Sequence, residues 1–449
     1  MRRYEEYKSS GVTWLGNLPV GWNCKKIGSL FSQRKTKVSD KEFPPLSVSK
    51  GGVVPQLDSA VKTDAGDNRK LVKSGDFVIN SRSDRKGSCG VSSLDGSVSL
   101  INIVLEPRQQ WNGRYVHYLM RSPIFSEEYY RYGRGIVSDL WTTRYSEMKN
   151  ILLPVPSREE QDQIVKYLDW QVSKINGLID IKKKEIKKLT ELKKTVVNEA
   201  VTHGLNPNVP MKFSGVDWLG DIPAHWTTIK LRQILHPFSE KNHPELPLLS
   251  VVREQGVIVR DVEDKESNHN FIPDDLSGYK MVKKGQFAMN KMKAWQGSYG
   301  ISDFTGIVSP AYFIFDVDFD NLEYFHYAIR SKVYVNFFAQ ASDGIRVGQW
   351  DLSIKKMKEI PFIVPPADEQ RAIVEHIPVA FAKYDEAIAK LTEEVEVLHE
   401  LRNKLISDVV TGQIDVRGIE VPEFEYVEEI EDLSEDDEEA DEEAVDEEV

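Results

Sequence analysis

Two loops at matching places in the chain carry side chains of the kind that hold nucleic acids. The members are Arg82, Arg85 and Lys86 in the first loop and Lys291, Lys293 and Gln296 in the second. Lysine and arginine bind phosphate, and arginine or glutamine can also bind one edge of guanine or adenine through two hydrogen bonds. The loops are therefore candidate DNA contacts. Ordinary solvated hairpin tips, the plainer interpretation, would have the same composition.

A second group of polar side chains lies near two tryptophans that also occupy matching positions, Trp141 and Trp350. Its members are Arg134 and Arg144 in the first half of the chain and Arg346 and Gln349 in the second. These side chains offer the same donors to phosphates and base edges. Surface charge around a matched pair of core tryptophans is the alternative interpretation.

The sequence carries no motif for catalysis. It has neither the GxxxxGK[ST] loop that binds nucleotide phosphates nor cysteines at zinc-binding spacing, and it lacks the Asn/Asp-Pro-Pro-aromatic motif of adenine methyltransferases. Residues 263–265 have the Glu-x-Lys form of many nucleases, but no Pro-Asp pair lies shortly upstream, which favours a solvated turn. His117 and His326 lie on apolar helical stretches and are interpreted as structural. We predict no catalytic residue and no metal site.

The net charge of −13 conceals an uneven distribution. Residues 423–449 contain 17 of the 71 acidic residues and no lysine or arginine, so residues 1–422 carry 54 acids against 58 bases. A mildly positive body can bind a polyanion where its basic residues cluster. The acidic run is predicted to be disordered. It would serve either as a solubilising tail or as a mimic of DNA on the basic surface.

Composition favours a cytoplasmic protein. No apolar run approaches the roughly 20 residues of a membrane helix, and the basic start of the chain has no apolar stretch behind it. The two cysteines, Cys24 and Cys89, are too few for a disulfide framework. No membrane partner is expected.

The elements that position the candidate loops occur twice. SGVTWLG at 10–16 returns as SGVDWLG at 214–220, and GSCGVS at 87–92 returns as GSYGIS at 297–302. Each module is rich in short β-type runs separated by glycine and aspartate turns, over 10–156 and 214–365. The repeated tryptophans (Trp14 with Trp218, Trp22 with Trp226) could stack on bases, but identical residues at identical places favour burial in a shared fold.

Each module is followed by a helix with an apolar residue at every third or fourth position. The stripes are Leu168, Val172, Ile175, Ile179, Ile186, Leu189, Val196 and Ala200, and Ile377, Phe381, Tyr384, Ile388, Leu391, Val395, Leu398, Leu405 and Val409. Lys182, Lys193 and Arg402 fill the remaining steps. Such a pattern predicts two long amphipathic helices that pair antiparallel within the chain or, alternatively, pair between chains.

Two features of these helices need comment. Pro378 falls in the first turns of the second helix, where it should kink the helix or delay its start. The lysine-rich stretch 182–188 could touch DNA phosphates, although a solvated helix face is the plainer interpretation.

The doubled order of motifs resembles the DNA-specificity subunits of type I restriction–modification systems. The matching features are SGV-x-WLG-x-(I/L)P-x-x-W at each module start, VP(S/P)-x-x-EQ at each helix entry, VTHGLNPN after the first helix and VVTGQIDV at 409–416. The resemblance covers residues 8–418. It implies an α+β fold with two mostly-β target-recognition domains joined by two long antiparallel helices as a pseudo-twofold tandem repeat. The implied boundaries are recognition domains at 1–156 and 214–365, spacer helices at 157–203 and 366–412, a linker at 204–213, a C-terminal segment at 413–422 and an acidic tail at 423–449.

The resemblance also implies a function and partners. Each domain would read one half of a split, asymmetric double-stranded DNA site, and the helices would set the gap between the halves. Two modification (methyltransferase) subunits and the restriction (helicase–nuclease) subunits would be the protein partners, and S-adenosylmethionine, ATP and Mg would bind to them, with no cofactor on this chain. There are two alternative functions. The chain could be the specificity subunit of a related system with a fused methyltransferase–nuclease partner, or it could be a coiled-coil protein adapter.

Overall fold

The computed structural model describes residues 2–56, 66–82, 87–135, 141–216, 219–260, 272–273, 275–344 and 350–428. The chain divides into two compact units, unit 1 built on Met1–Lys183 with Thr392–Leu433 and unit 2 on Lys184–Leu391. Each unit therefore contains one module and a segment of both long helices. The α+β class predicted from the sequence is confirmed.

Unit 1 consists of short strands followed by helices. Its strands are β1 (Tyr7–Ser9), β2 (Asn17–Pro19), β3 (Asn23–Lys26), β4 (Phe31–Gln33), β5 (Lys37–Val38), β6 (Leu46–Ser49), β7 (Gly52–Pro55), β8 (Arg69–Val72), β9 (Phe77–Asn80), β10 (Cys89–Val91), β11 (Gly96–Val98), β12 (Asn102–Pro107) and β13 (Leu152–Val155). Its helices are α1 (Ile27–Leu30), α2 (Gly113–Arg121), α3 (Pro123–Arg131), α4 (Tyr145–Met148) and the start of α5 (Arg158–His203).

Unit 2 repeats this plan. Its strands are β14 (Met211–Phe213), β15 (Asp221–Pro223), β16 (Thr227–Lys230), β17 (Leu235–Phe238), β18 (Leu249–Val252), β19 (Gly256–Val259), β20 (Lys280–Val282), β21 (Phe287–Asn290), β22 (Tyr299–Ile301), β23 (Gly306–Val308), β24 (Tyr312–Val317), β25 (Ser342–Asp343), β26 (Asp351–Leu352) and β27 (Pro361–Val364). Its helices are α6 (Leu322–Ile329), α7 (Lys332–Ala341), α8 (Ile354–Met357) and the start of α9 (Ala367–Val410), with short 3-10 helices at Leu231–Gln233 and Ala294–Gln296.

The central sheets of the two units have the same order. Unit 1 has β10-β9-β12-β4 and unit 2 has β22-β21-β24-β17, and all of these pairings are antiparallel. In each unit a further pair, β3 with β13 or β16 with β27, joins the module start to the strand that leads into the long helix. The repeated sequence therefore builds one frame twice.

Repeated polar residues fix the helix starts. Asn112 caps α2 by accepting hydrogen bonds from the N–H groups of Arg114 and Tyr115, and Asn321 caps α6 by accepting from the N–H of Tyr324 at 3.0 Å. The glutamines of the two EQ motifs donate to the proline carbonyls that precede the long helices, Gln161 to Pro156 at 3.1 Å and Gln370 to Pro365 at 2.9 Å. These motifs thus serve the fold.

The long helices pair antiparallel within unit 1. Arg402 donates to the Asn176 amide oxygen at 2.9 Å in a buried contact, and Lys182 forms an ion pair with Glu394. From the first contact to the second, the residue number rises along α5 and falls along α9, so the two helices run antiparallel. In unit 2, Lys193 bonds Asp385. The three polar steps of the predicted stripe therefore have partners on the opposite helix.

A glycine that follows each long helix packs against a tryptophan of the same unit. Gly412 has a φ of +73°, and a Cβ there would lie 2.6 Å from a Pro19 side-chain carbon and 3.2 Å from the Trp22 ring. Gly204 has a φ of +76°, and a Cβ there would lie 3.0 Å from the Trp226 ring. Both tryptophans are buried, as is Trp14, which favours their interpretation as packing residues. Trp218 lies outside the described residues.

Two expectations about the helices and the tail are corrected. Helix α9 begins at Ala367, so the exposed Pro378 lies inside it and does not delay its start. The chain from 423 was predicted to be a disordered tail, yet Val427 donates its N–H to Ser173 at 3.2 Å and accepts from Asn176 at 3.1 Å. Tyr426 lies 4.8 Å from the Arg114 guanidinium. Residues 429–449 lie outside the described residues.

Candidate nucleic-acid interface

In unit 1, three chain segments meet beside the end of β9. The Arg82 N–H donates to the Asn80 side chain at 3.0 Å, which turns the chain out of the strand. Arg82 then pairs with Thr142 in an antiparallel bridge, and Arg134 pairs with Thr142 from the other side. We call Arg82, Thr142 and Arg134 the unit 1 row.

The members of this row lie on one face. Side chains of directly opposed residues in antiparallel pairs project to the same side, with Cβ atoms about 5 Å apart. Both arginines are exposed. Arg144 is also exposed, and it lies near the row because Arg134 and Arg144 act on the same carboxylate. A hydrogen bond from Ser146 lowers the pKa of Glu147, and the positive charges of these two arginines lower it further. The structure therefore gathers three of the predicted arginines into one basic surface.

An aromatic pair supports the row. Trp141 precedes Thr142, and its indole N–H donates to the Tyr130 carbonyl at 3.0 Å while its ring stacks on the Tyr130 ring at 5.7 Å. Gly133 makes room for this indole, because a Cβ on Gly133 would lie 2.1 Å from the indole nitrogen. The tryptophan thus fixes the short segment that carries the row.

The cavity under the row is too small for an organic ligand. It is lined by apolar groups such as Ile79, Met120 and Phe125, and it encloses about 20 Å³, which is close to the space of a single water. Burial raises the pKa of the Cys89 thiol, which also lines it, to about 12, so this cysteine is held as the neutral thiol. The candidate DNA contacts of this region are therefore the side chains on its surface.

Unit 2 has part of the same backbone arrangement at the equivalent place, although Met292 lies in a turn and does not form the bridge that Arg82 makes with Thr142. The Met292 N–H donates to the Asn290 side chain at 3.1 Å, and Leu352 donates to the Lys291 carbonyl at 3.1 Å, as Thr143 donates to Ser81 in unit 1. Asp343 pairs directly with Asp351, in the positions that Arg134 and Thr142 hold in unit 1. We call Met292, Asp351 and Asp343 the unit 2 row.

Lysines neutralise the two carboxylates of the unit 2 row. Lys291 bonds Asp351 at 3.0 Å and Lys356 bonds Asp343 at 2.6 Å. Like charges directly opposite each other destabilise an antiparallel pair, so these lysines offset a repulsion that the unit 1 row does not contain. The two equivalent surfaces thus differ in charge.

The remaining predicted side chains have mixed positions. Lys293 is only 8% exposed, which corrects the expectation of a solvent-facing contact, and Gln296 is half-buried at the end of a 3-10 helix. Between them, Trp295 packs against Trp350 at 5.1 Å. The other members of the predicted set, Arg85, Lys86, Arg346 and Gln349, lie outside the described residues.

Sequence reasoning missed Thr142, Asp343 and Asp351. The signal was available in part, because Arg134 and Asp343 are separated by the repeat offset and have opposite charge. An arginine in one module that aligns with an aspartate in the other marks a position where the two modules differ in charge.

The repeated histidines are structural. Burial, with the charges of Arg121 and Arg114, lowers the pKa of His117 to about 3, and burial with Arg330 lowers that of His326 to about 4. Arg330 donates to the carbonyls of Arg253 and Glu254, and Arg121 to that of Lys50, so each arginine clamps a hairpin beside its histidine.

Two classes of site are not found within the described ranges. No group of three or more histidine, cysteine, aspartate or glutamate side chains there could hold a metal ion. Across the same ranges, every helix is too short or too polar to span a membrane.

Comparison with known proteins gives relatives of one kind. The chain is 25% identical over 291 residues to the type I restriction enzyme MjaVIII specificity subunit of Methanocaldococcus jannaschii, covering 60% of this chain and 64% of the relative. It is 23% identical over 284 residues to the MjaX specificity subunit of the same organism, covering 61% of each. The matches thus span less than two thirds of these relatives. No family model matches.

A solved structure supports the fold. It comes from work on complex assembly and conformational transition of the type I R-M system, and it matches 88% of this chain and 99% of its own with a TM-score of 0.53 at 14% identity. The curated homologues of this chain are type I restriction enzyme specificity subunits. The resemblance predicted from the doubled motifs is therefore confirmed.

Proposed function

We propose that this chain is the DNA-recognition subunit of a type I restriction–modification complex and that it directs modification and restriction without catalysing either. The observation that carries the proposal is the pair of equivalent surfaces on one repeated frame. They carry different side chains, arginines with threonine in unit 1 and lysine-paired aspartates in unit 2. A duplicated frame with different surface chemistry suits a protein that reads two different half-sites.

Recognition would combine two kinds of contact. Exposed basic side chains hold phosphates and position the unit, whereas contacts to base edges select sequence. Because phosphate binding releases counterions, affinity should fall steeply as salt rises. The arginines of the basic surface in unit 1, which are Arg82, Arg134 and Arg144, can contribute to both.

The partners follow from the type of complex. Two methyltransferase subunits would bind S-adenosylmethionine and methylate adenine, and helicase–nuclease subunits would use ATP and Mg to restrict unmodified DNA. This chain would hold none of these cofactors. The names of the homologues, type I restriction enzyme specificity subunits, support the type of complex from which these partners and cofactors are proposed.

The target would be bipartite and asymmetric, with one half-site for each module. Helices α5 and α9, which both contribute to unit 1 and to unit 2, would set the gap between the half-sites. This part of the proposal rests on the duplication and on the differences between the two rows.

A domain exchange in the assembled methyltransferase tests the proposal. Residues 10–156 are replaced by the equivalent module of another specificity subunit, and methylated adenines are mapped across the genome of a host that carries the complex. We expect one half-site to change while the other half-site and the gap persist. The reciprocal exchange of residues 214–365 is the matched control. A change of both half-sites in either chimaera would contradict the two-reader model, and loss of all methylation on deleting the gene is the baseline.

A further inference from the structure

We propose that the unit 1 row reads guanine, so that the half-site bound by unit 1 contains guanine at a position where unit 2 has no such preference. This inference rests on the proposed function, because it assigns a base to one of the two DNA surfaces.

The geometry of the row suits base edges. Arg82 and Arg134 flank Thr142 across three adjacent segments, and neighbouring strands are about 4.8 Å apart. The two arginine backbones are therefore about 10 Å apart, or about three base-pair steps of 3.4 Å. Two guanidinium groups at this separation can reach bases within one short stretch of a single half-site.

The chemistry favours guanine among the four bases. In the major groove guanine presents two acceptors, O6 and N7, and a guanidinium has two parallel donors that match them. Cytosine and adenine each present an amino donor, which repels a guanidinium donor. Thr142 lies between the arginines with a hydroxyl that can donate or accept.

Support under the row keeps this geometry fixed. The indole of Trp141 is held by a hydrogen bond to Tyr130 and by stacking on its ring, and Gly133 lets it pass close to the chain. Rigid placement matters, because a bidentate contact discriminates between bases by direction as well as by charge.

Unit 2 provides the internal comparison. Its row has Asp351 and Asp343 in the same direct pairing and Met292 in the turn after the strand, and its carboxylates are held by Lys291 and Lys356. Among the described residues, the unit 2 row carries no guanidinium, and both of its lysines are paired with carboxylates, which leaves them less able than the arginines of unit 1 to bind two acceptors. The paired carboxylates depend on these two lysines, which stand where unit 1 has Ser81 and Glu147, so an exchange of the rows has to include these positions.

The experiment exchanges the rows in the full chain assembled with its methyltransferase partner. Each variant also exchanges the two neighbouring positions that stabilise the unit 2 carboxylates. One variant carries Arg82→Met, Thr142→Asp, Arg134→Asp, Ser81→Lys and Glu147→Lys; the reciprocal variant carries Met292→Arg, Asp351→Thr, Asp343→Arg, Lys291→Ser and Lys356→Glu. Bound DNA is selected from libraries in which one half-site is randomised. We expect the first variant to lose guanine at one or two positions of the unit 1 half-site, by between about 5-fold and about 150-fold per contact. The reciprocal variant should gain guanine in the other half-site.

A charge-conserving control separates base reading from phosphate binding. Arg82→Lys with Arg134→Lys keeps both positive charges but removes the fork of donors. If the row reads guanine, this variant weakens the guanine preference more than it weakens binding to other sequences, because a lysine can reach O6 and N7 but lacks the rigid fork. If the arginines only hold phosphates, the preference remains and binding weakens evenly across sequences, which would overturn the inference.

The outcomes also separate this inference from the proposed function. If the wild-type complex selects a bipartite site and both row variants keep its base preferences, the inference is wrong and the function stands. If the wild-type complex selects no sequence, the function itself is wrong. Thermal unfolding of each variant shows whether it is folded, and the single variant Arg82→Met repeats the test should the exchange variant unfold.

Discussion

The two units hold the same short pairing beside their central sheets, yet they stabilise it in different ways. In unit 1 the tryptophan of this pairing, Trp141, passes over Gly133 and stacks on Tyr130. In unit 2 the equivalent Trp350 packs on Trp295, and Ser342 takes the place of the glycine. The comparison teaches that duplication preserved the backbone pairing while the surface and its support diverged together.

The charges diverged in the same region. Arginines flank a threonine in unit 1, whereas two directly opposed aspartates are held by lysines in unit 2. The shared positions (the buried tryptophans, the capping asparagines and the EQ glutamines) lie away from this surface and serve both units alike. Function is therefore expected where the aligned residues differ.

The largest effect should come from breaking the shared frame at its buried tryptophans. Trp22→Ala and Trp226→Ala each remove a fully buried ring, which costs about 3–5 kcal/mol. Trp226 should cost more, because its indole N–H also donates to Glu369 at 2.9 Å. Hydrogen exchange of amides in β3 and β13, and in β16 and β27, measures the loss in each unit. Trp226→Phe is the matched control, and an equal loss for both alanine variants would contradict the role of Glu369.

Acid should weaken both units through their equivalent histidines. The pKa of His117 is lowered to about 3 and that of His326 to about 4, so above pH 6.5 both are neutral in the folded and the unfolded chain. As pH falls below 6.5 the unfolded chain binds protons first, and stability falls by up to about 1.4 kcal/mol per pH unit for each histidine.

Denaturant unfolding at several pH values measures this loss. His117→Gln and His326→Gln should each reduce the slope between pH 6.5 and pH 4.5. A slope that is unchanged in both variants would show that other groups cause the loss.

Substitution by alanine at Gly133 and at the equivalent Ser342 tests whether Trp141 and Trp350 are supported differently. Gly133→Ala places a Cβ 2.1 Å from the Trp141 indole nitrogen, and overpacking of this kind costs about 1–3 kcal/mol. The equivalent change in unit 2, Ser342→Ala, adds no atom and should be milder, with loss of one hydrogen bond to Phe338. Thermal unfolding and the fluorescence of Trp141 report the difference. Equal effects at the two positions would show that the indole does not need the glycine.

Sequence reasoning found the frame more readily than the surface. Strands, turns, caps and helix stripes follow local patterns, and duplication showed which patterns to compare, so the α+β plan and the paired helices were predictable. The row was not, because Arg82 meets Thr142 only through pairing across 60 residues of chain. Likewise, nothing in the sequence of residues 291–297 distinguishes the buried Lys293 from the half-buried Lys291. A composition-based approach also extended the acidic tail over Tyr426 and Val427, whose contacts with the first long helix and Arg114 depend on tertiary structure.

The smallest effect on stability should come from changing the charges of the unit 2 row. The substituted residues are those that unit 1 has at the equivalent positions. Lys291→Ser introduces the residue that unit 1 has at this place and leaves Asp351 facing Asp343 with one lysine fewer. Because these groups are exposed, the expected loss of stability is at most about 1 kcal/mol and should shrink as salt rises. Adding Asp351→Thr, again the unit 1 residue, removes the repulsion and should restore stability. A double-mutant cycle in low and high salt, measured by denaturant unfolding without DNA, gives the coupling energy between Lys291 and Asp351. A coupling energy near zero in low salt would mean that the lysine does not offset the repulsion between the paired carboxylates. The two rows would then differ in charge without differing in how they are stabilised.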